Sequence, residues 1–203
     1  MQLTGAEIVV ECLKEQGVDT VFGYPGGCIL NIYDALYKHS SEINHILTSH
    51  EQGAAHAADG YFRSSGKIGV CIATASPGAL NFTMAVATAF KDNIPLLILT
   101  GDNDLEFRGT DHFQSTPQVD IFKHITKASY NPLNGTEAIF MLKAAIYELK
   151  TIPKGPIHIN LSKNVLLEEE FDDFDLCYLC EDDLSNISKA QDLIDKSDKP
   201  LFR

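Results

Sequence analysis

The fold of this chain is decided by residues 49–61, Ser49-His50-Glu51-Gln52-Gly53-Ala54-Ala55-His56-Ala57-Ala58-Asp59-Gly60-Tyr61. An apolar, strand-like run, residues 43–48, leads into this stretch, and its small residues predict a helix that begins at Glu51. A carboxylate between the end of a strand and the start of a helix lies where α/β sheets usually place their sites. From this pattern alone, Glu51 is either a partner of the helix dipole or a functional group.

Strand-like and helix-like segments alternate on both sides of this stretch. A capping box, Thr4-x-x-Glu7, opens the first helix, which Gly17 ends. Further helices are predicted over 29–37, from 51, over 77–90 and over 136–149, and strands over 18–22, 43–48, 68–74, 95–100 and 157–161. Residues 101–125 are predicted to be mostly irregular, and 127–130 to form a short segment. This order predicts an α/β fold of three layers, a doubly wound and mostly parallel sheet with helices on both faces.

Composition limits the classes of protein to which the chain can belong. Hydrophobic residues make up 44% of 203, enough for a core, but no apolar run approaches the ~20 residues of a membrane span. The first residues lack the pattern of a signal peptide, so we expect a cytoplasmic protein without a membrane partner. Cys12, Cys28 and Cys71 lie among apolar residues, as in a reducing compartment. Cys177-x-x-Cys180 has no second pair nearby, and no metal ligands are predicted.

The net charge of −12 is concentrated at the C-terminal end. Residues 1–163 carry 12 basic and 16 acidic residues, whereas residues 164–203 carry 4 basic and 12 acidic ones. Without a basic surface, nucleic acid is not an expected partner. Nine acidic residues and no basic one fall within 166–183. We therefore expect a domain over 1–165, an acidic linker over 166–184 and the truncated start of a further domain over 185–203.

Four predicted strand ends carry unusual residues. They are Tyr24-Pro25-Gly26-Gly27, then Glu51, then Ser76-Pro77-Gly78 with Asn81 one turn later, and then Thr110-Asp111-His112-Phe113-Gln114. Each alone is weak, because glycine and proline turns punctuate many α/β folds. The carboxyl ends of parallel strands meet at one edge of a sheet, so the four segments predict one binding site.

These segments resemble the N-terminal pyrimidine-binding domain of thiamine-diphosphate enzymes, and among these most closely the catalytic subunit of acetolactate synthase. The resemblance extends over residues 3–165. The segments that carry it are Thr4-Gly5-Ala6-Glu7, residues 18–27, the run from His50 to Tyr61, Gly109-Thr110-Asp111-x-Phe113-Gln114 and Thr126-Lys127-x-Ser129-Tyr130.

The resemblance implies a role for each site residue. Glu51 matches the glutamate that hydrogen-bonds N1′ of the aminopyrimidine and so helps the cofactor to lose its thiazolium C2 proton, in a pocket poor in water. Gly27 matches a backbone position beside the substrate. Phe113 and Lys127 match the substrate entrance, where Lys127 attracts a 2-ketoacid carboxylate or is merely a surface lysine. The residues expected to line the pyrimidine or the reaction space are Tyr24, Pro25, Pro77, Asn81 and Gln114. His50 is weighed as a structural histidine or a functional one.

The chain departs from the family pattern at several positions. Ser76 replaces the first glycine of a Gly-Pro-Gly turn, and Asp102 and Asn103 replace Gln-Val. Lys154 stands where acetolactate synthases carry an arginine that helps to hold FAD, which weakens the expectation of FAD. A Gly-Asp-Gly followed by Asn-Asn, which marks the domain that binds Mg²⁺ and diphosphate, is not in the sequence. The resemblance therefore implies that Mg²⁺ is held by a domain absent from this chain.

The expected function is that of the N-terminal part of a carboligase, inactive alone, which decarboxylates pyruvate and joins the two-carbon unit to a second 2-ketoacid. Such a reaction belongs to branched-chain amino acid biosynthesis. The expected partners are the diphosphate-binding domain of a second subunit, in a homo-oligomer that is a dimer or larger, with a regulatory subunit as a further candidate. The alternatives are a separate subunit of a split 2-ketoacid decarboxylase and a non-catalytic module that keeps the fold.

Overall fold

A parallel sheet of six strands forms the centre of the molecule. The computed structural model describes residues 3–170. Its strands are β1 (Leu3–Thr4), β2 (Thr20–Gly23), β3 (Asn44–Leu47), β4 (Gly69–Ala73), β5 (Leu96–Asp102), β6 (Ala128–Tyr130), β7 (Ile157–Ser162) and β8 (Glu169–Glu170). The central sheet has the order β3-β2-β4-β5-β7-β6, and every neighbouring pair in it is parallel. The predicted doubly wound α/β sheet is confirmed.

Helices cover both faces of this sheet. They are α1 (Gly5–Glu15), α2 (Leu30–Lys38), α3 (Glu51–Ser65), α4 (Pro77–Leu80), α5 (Thr83–Lys91), α6 (Gln118–Lys123), α7 (Gly135–Lys150) and α8 (Lys163–Leu167). One core joins the sheet to α1, α2, α7 and α8, on what we call face A, and a second joins it to α3, α4, α5 and α6, on face B. Along β5 the buried side chains alternate, with Leu97 and Leu99 in the first core and Leu96 and Ile98 in the second.

Two helix starts follow the sequence closely. The Thr4 hydroxyl accepts a hydrogen bond from the Glu7 amide at 3.3 Å, and the Glu7 carboxylate accepts one from the Thr4 amide at 3.0 Å. This is the predicted capping box. Helix α3 begins at Glu51, as predicted, and His50 Nδ1 caps it by accepting from the Gln52 amide at 3.1 Å. In this structure His50 therefore acts as a structural cap.

The prediction of one continuous helix over 77–90 is wrong, because the segment forms two helices, α4 and α5. The Asn81 and Phe82 amides donate to carbonyls three residues earlier, which tightens the backbone between the two helices. The Thr83 hydroxyl donates to the Leu80 carbonyl at 2.8 Å. The interruption leaves Asn81 at the end of α4, where its side chain can reach Glu51.

The stretch predicted to be irregular over 101–125 also contains regular structure. A short 3₁₀ helix spans Leu105–Phe107, and α6 follows. The antiparallel pair of β1 and β8 was not predicted either. Two-residue strands are too short to show an alternating pattern, so only the folded chain brings these ends together.

Residues that follow β7 pack back onto the domain. Leu166 in α8 is buried in the face A core, and the Gly5 amide donates to the Glu168 carbonyl at 2.9 Å. The first residues of the expected linker therefore belong to α8 and β8. The rest of that linker, the Cys177–Cys180 pair and the expected domain start over 185–203 lie outside the described residues.

His158 in β7 is a buried histidine that is held neutral. Its ring stacks on Phe122 with 4.3 Å between the centroids. Ser129 Oγ lies 2.7 Å from Nδ1, and Thr100 Oγ1 lies 2.7 Å from Nε2. Because Thr100 donates its one hydroxyl hydrogen to Asn160, Nε2 carries the ring proton. Burial lowers the pKa of His158 to about 3.

We expect the domain to lose stability on acidification, because His158 gains a proton on unfolding. The folded pKa lies below the ordinary histidine value of 6.5, so between these values the unfolded chain binds more protons and unfolding becomes easier as pH falls. From about pH 6.5 to about pH 5, the wild-type free energy of unfolding should fall by about 1.5 kcal/mol more than that of His158→Gln. Urea unfolding at both pH values measures the difference.

The matched control is His56→Gln, which removes an exposed histidine from α3. It should keep the wild-type dependence of stability on pH. If His158→Gln also kept the wild-type dependence, His158 would not be the group responsible.

Candidate active site

A crevice opens where the strand order reverses between β2 and β4. The connection after β2 leads to α2 on face A, whereas the connection after β4 leads to α4 and α5 on face B. Loops that leave adjacent strands toward opposite faces create a crevice beyond the carboxyl ends of the strands. Tyr24-Pro25-Gly26-Gly27 and Ser76-Pro77-Gly78 form the two sides of this crevice, and Glu51 follows the neighbouring strand β3.

Glu51 and Asn81 meet at this crevice. Asn81 Nδ2 donates to Glu51 Oε2 at 2.9 Å, and both residues are half-buried. A Cβ atom added to Gly78 would lie 3.1 Å from Glu51 Oε1 and 2.9 Å from Thr74 Cγ2. The turn after β4 therefore packs closely against the carboxylate, and one carboxylate oxygen is held by an amide donor.

The turn after β2 is pressed against the end of β4. A Cβ atom on Gly26 would lie 2.5 Å from Thr74 Cβ, so only glycine fits there without a shift. The Cys28 amide donates to Thr74 Oγ1 at 3.3 Å. The rest of the turn faces outward, since Tyr24 is 43% exposed, Gly27 is exposed and Pro25 is half-buried. The structure thus brings the turn that contains Tyr24, Pro25 and Gly27 beside the Pro77 turn.

Ser76 ties its turn to the loop that carries Gln114. Its buried hydroxyl donates to Thr116 Oγ1 at 2.8 Å, so this side chain points toward the loop after β5. Gln114 has φ of +58°, an uncommon value for a residue with a side chain. Such backbone conformations concentrate at functional sites. The Phe113 carbonyl accepts from Asn103 Nδ2 at 2.8 Å, while the Phe113 ring is 78% exposed.

Lys127 lies at the other edge of the sheet. It precedes β6, so in a parallel sheet it is at the amino edge, whereas Glu51 follows the carboxyl end of β3. Its ammonium donates to the Glu148 carbonyl at 2.5 Å and to Thr151 Oγ1 at 3.0 Å. Lys127 thereby caps the C-terminal end of α7, and this chain does not bring it to the Glu51 crevice.

Lys163 is a cation at the carboxyl edge that the sequence reasoning missed. It is exposed and begins α8 directly after β7. Burial raises the pKa of the Cys28 thiol and the charge of Asp102 adds to this, but the charge of Lys163 acts in the opposite direction. The sequence signal that could have identified Lys163 is its position directly after the last apolar strand, β7.

Two features are not found in the part of the chain that the structure describes. Over residues 3–170, no helix combines the length and the apolar character needed to cross a membrane. Within the same range, no three His, Cys, Asp or Glu side chains converge in a way that could hold a metal ion.

Comparison with known proteins agrees with this geometry. Residues 3–123 match the family described as thiamine pyrophosphate enzyme, N-terminal TPP binding domain. The chain is 44% identical over 163 residues to a probable acetolactate synthase large subunit of Methanocaldococcus jannaschii, a match that covers 80% of this chain and 27% of the relative. It is 42% identical over 161 residues to the chloroplastic acetolactate synthase of Arabidopsis thaliana, covering 79% of this chain and 24% of the relative.

A third relative is the acetolactate synthase of Arthrospira platensis, which is 43% identical over 166 residues, or 81% of this chain and 29% of the relative. The chain thus spans about a quarter of the length of the curated relatives that it matches. The match to the family covers more than half of the chain and includes every element of the Glu51 crevice. The chain therefore belongs to the thiamine pyrophosphate enzymes, as an N-terminal TPP-binding domain similar to that of acetolactate synthase.

Proposed function

We propose that this chain is the N-terminal part of a carboligase that decarboxylates pyruvate and joins the two-carbon unit to a second 2-ketoacid, a step of branched-chain amino acid biosynthesis. The observation that carries the proposal is the Glu51 carboxylate, held by Asn81 at 2.9 Å in the crevice between β2 and β4. The relatives named acetolactate synthase support the type of reaction.

The residues of the crevice fit the pyrimidine half of thiamine diphosphate. Gly26 and Gly78 let the backbone approach closely where a Cβ would collide, and Glu51 supplies a carboxyl group that can share a proton. Tyr24, Pro25, Pro77 and Gln114 would line the ring. When bound, thiamine diphosphate supplies a carbanion and an electron sink, and the protein supplies position and electrostatics.

Glu51 and Asn81 divide the work in this proposal. Asn81 Nδ2 occupies Oε2 of Glu51 and fixes the plane of the carboxyl group. Oε1, which lies beside Gly78, is then the oxygen that gives and takes the proton of the aminopyrimidine nitrogen. Glu51 is only half-buried in this chain, so a second surface must cover the crevice to exclude water.

This chain supplies fewer of the residues that we propose to contact the substrate than of those that contact the cofactor. Gly27 would face the reacting groups through its backbone, and Phe113 would stand at the entrance with its exposed ring. Lys127 lies at the amino edge of the sheet, so it can contact the substrate only at a surface other than the Glu51 crevice of the same chain. Lys163 lies at the same carboxyl edge as Glu51, but it follows β7, which is three places from β2 in the sheet.

We assign Mg²⁺ and the diphosphate to a domain outside residues 1–203 and propose that a second subunit supplies it. FAD fits less well. Lys154 is exposed, and its Nζ lies 5.8 Å from the Phe62 ring centroid. Lysine cannot make the bidentate contact of an arginine with a phosphate, so no step is assigned to FAD. The unpaired Cys12, Cys28 and Cys71 agree with a cytoplasmic protein.

One surface of α3 and α5 suits the proposed second subunit. Gly53 and Gly60 are exposed on α3, and an added Cβ at either position would meet open space. Met84 on α5 is 55% exposed, and its sulfur lies 3.9 Å from Gln52 Nε2. Small residues beside an exposed methionine allow a partner to approach closely. We place the homo-oligomer contact, in a dimer or a larger assembly, on this α3–α5 surface, and leave a regulatory subunit as a further partner.

Glu51→Gln in the full-length enzyme should lower kcat by about 10²-fold or more, because the amide cannot exchange the proton. The fold should survive, since Gln can still accept from Asn81. Steady-state kinetics with pyruvate measures the loss. Glu42→Gln, which changes an exposed carboxylate between α2 and β3, is the matched control and should keep the wild-type rate. A wild-type rate in Glu51→Gln would remove Glu51 from this role.

Residues 1–203 alone should bind thiamine diphosphate weakly and catalyse nothing, because the proposed grip on the diphosphate lies in another domain. Isothermal titration calorimetry of the chain with thiamine diphosphate, with and without Mg²⁺, tests this. Tight binding that depends on Mg²⁺ would contradict the proposal.

Gly53→Leu with Gly60→Leu should dissociate the full-length enzyme and leave the chain folded. Both positions are open in the isolated domain, and leucine favours a helix more than glycine does. Sedimentation velocity measures the assembly, and Asp34→Leu on α2 is the control for an added surface leucine. An unchanged oligomer in the double variant would exclude the α3–α5 surface as the contact.

A further inference from the structure

A second crevice opens between β5 and β7, where the strand order reverses again. The connection after β5 leads to α6 on face B, and the connection after β7 leads to α8 on face A. The rule that places a site between β2 and β4 therefore predicts another one here. A cavity of about 500 Å³ lies at this point, which is within the size range of small-molecule sites.

Two buried amides form the floor of this cavity. Asn160 is 1% exposed, and its amide is fully engaged, since Nδ2 donates to Asp102 at 2.8 Å and to Asn131 at 3.2 Å. Asn160 Oδ1 accepts from Thr100 and from Gln118 Nε2. The floor is thus held in one arrangement by hydrogen bonds from β5, β7 and α6.

Gln118 leaves one oxygen of the floor without a partner. It is 2% exposed, and its Nε2 also donates to the Gly101 carbonyl at 2.8 Å. A backbone carbonyl only accepts, so the amide cannot be turned the other way. Within residues 3–170, Gln118 Oε1 has no hydrogen-bond donor. This oxygen can therefore accept a hydrogen bond from a bound molecule or from water.

The mouth of the cavity offers the opposite chemistry. Arg108 is exposed there, and its Nη2 donates to Asn131 at 2.7 Å and to Ser162 at 3.2 Å. These two bonds use both hydrogens of Nη2, so the N–H groups of Nε and Nη1 can bind an anionic group. Phe107, Pro117 and Val119 supply an apolar part of the wall.

We propose that this cavity binds a free α-amino acid. The carboxylate pairs with Arg108, the ammonium group donates to Gln118 Oε1 and lies near the Asp102 carboxylate, and an apolar side chain contacts the Phe107 wall. Three carboxylates, those of Asp102, Asp104 and Asp120, line the cavity beside the one guanidinium, which disfavours a simple anion. A simple amine would leave Arg108 unused. The cavity lies between β5 and β7 and shares the loop after β5 with the Glu51 crevice, but the proposal does not depend on the function proposed for that crevice.

The experiment titrates the ¹⁵N-labelled 203-residue chain with three matched probes and follows the side-chain amide signals of Gln118, Asn131 and Asn160 by NMR. The probes are L-methionine, its analogue without the ammonium group, 4-(methylthio)butanoate, and its analogue without the carboxylate, 3-(methylthio)propylamine. L-Methionine should shift these signals saturably, and each analogue should bind at least about tenfold more weakly.

Arg108→Gln should weaken L-methionine binding at least about tenfold, whereas Lys123→Gln, which removes an exposed charge on α6, should not. Arg108 is exposed, so the variant is expected to fold, and the dispersion of its amide spectrum checks this. Three results would each overturn the proposal: no saturable shift with L-methionine, equal binding of either analogue, or unchanged binding in Arg108→Gln.

Discussion

The carboxyl ends of six parallel strands meet at one edge of this domain, and the chemistry of the molecule depends on that constraint. Parallel pairing sends every loop after a strand to the same side. Where the strand order reverses, neighbouring loops separate toward opposite faces and leave a crevice. The order β3-β2-β4-β5-β7-β6 contains two such reversals, so one sheet edge carries both the Glu51 crevice and the Arg108 cavity.

The Glu51 crevice depends on two glycines that let the turns after β2 and β4 pack closely against their neighbours. Gly26 packs against Thr74, and Gly78 packs against both Thr74 and Glu51, so each would collide if it carried a Cβ. The carboxylate is oriented by an amide donor, because Asn81 Nδ2 donates a hydrogen bond to Glu51 Oε2. Glu51 remains half-buried in this chain, which spans only about a quarter of the length of its relatives.

A strip of polar side chains runs across face B to the floor of the Arg108 cavity. It extends from Ser129 through His158 and Thr100 to Asn160 and Gln118. The directions of these hydrogen bonds are consistent, because the Gly101 carbonyl fixes the orientation of the Gln118 amide and the Thr100–Asn160 bond fixes the tautomer of His158. The strip fixes the loop after β5, and the hydrogen bond between Ser76 and Thr116 carries that order to the turn beside Glu51.

Local pattern was enough to determine much of this protein. The alternation of elements, the Thr4 capping box, the start of α3 at Glu51 and the strand-end segments are all consequences of short-range spacing, which a sequence displays directly. Tertiary structure alone decided the order of the strands, the break at Asn81, the pairing of β1 with β8, the edge on which Lys127 and Lys163 lie and the cavity at Arg108. Each of these depends on contacts between residues far apart in the chain, and such contacts leave no periodic trace in the sequence.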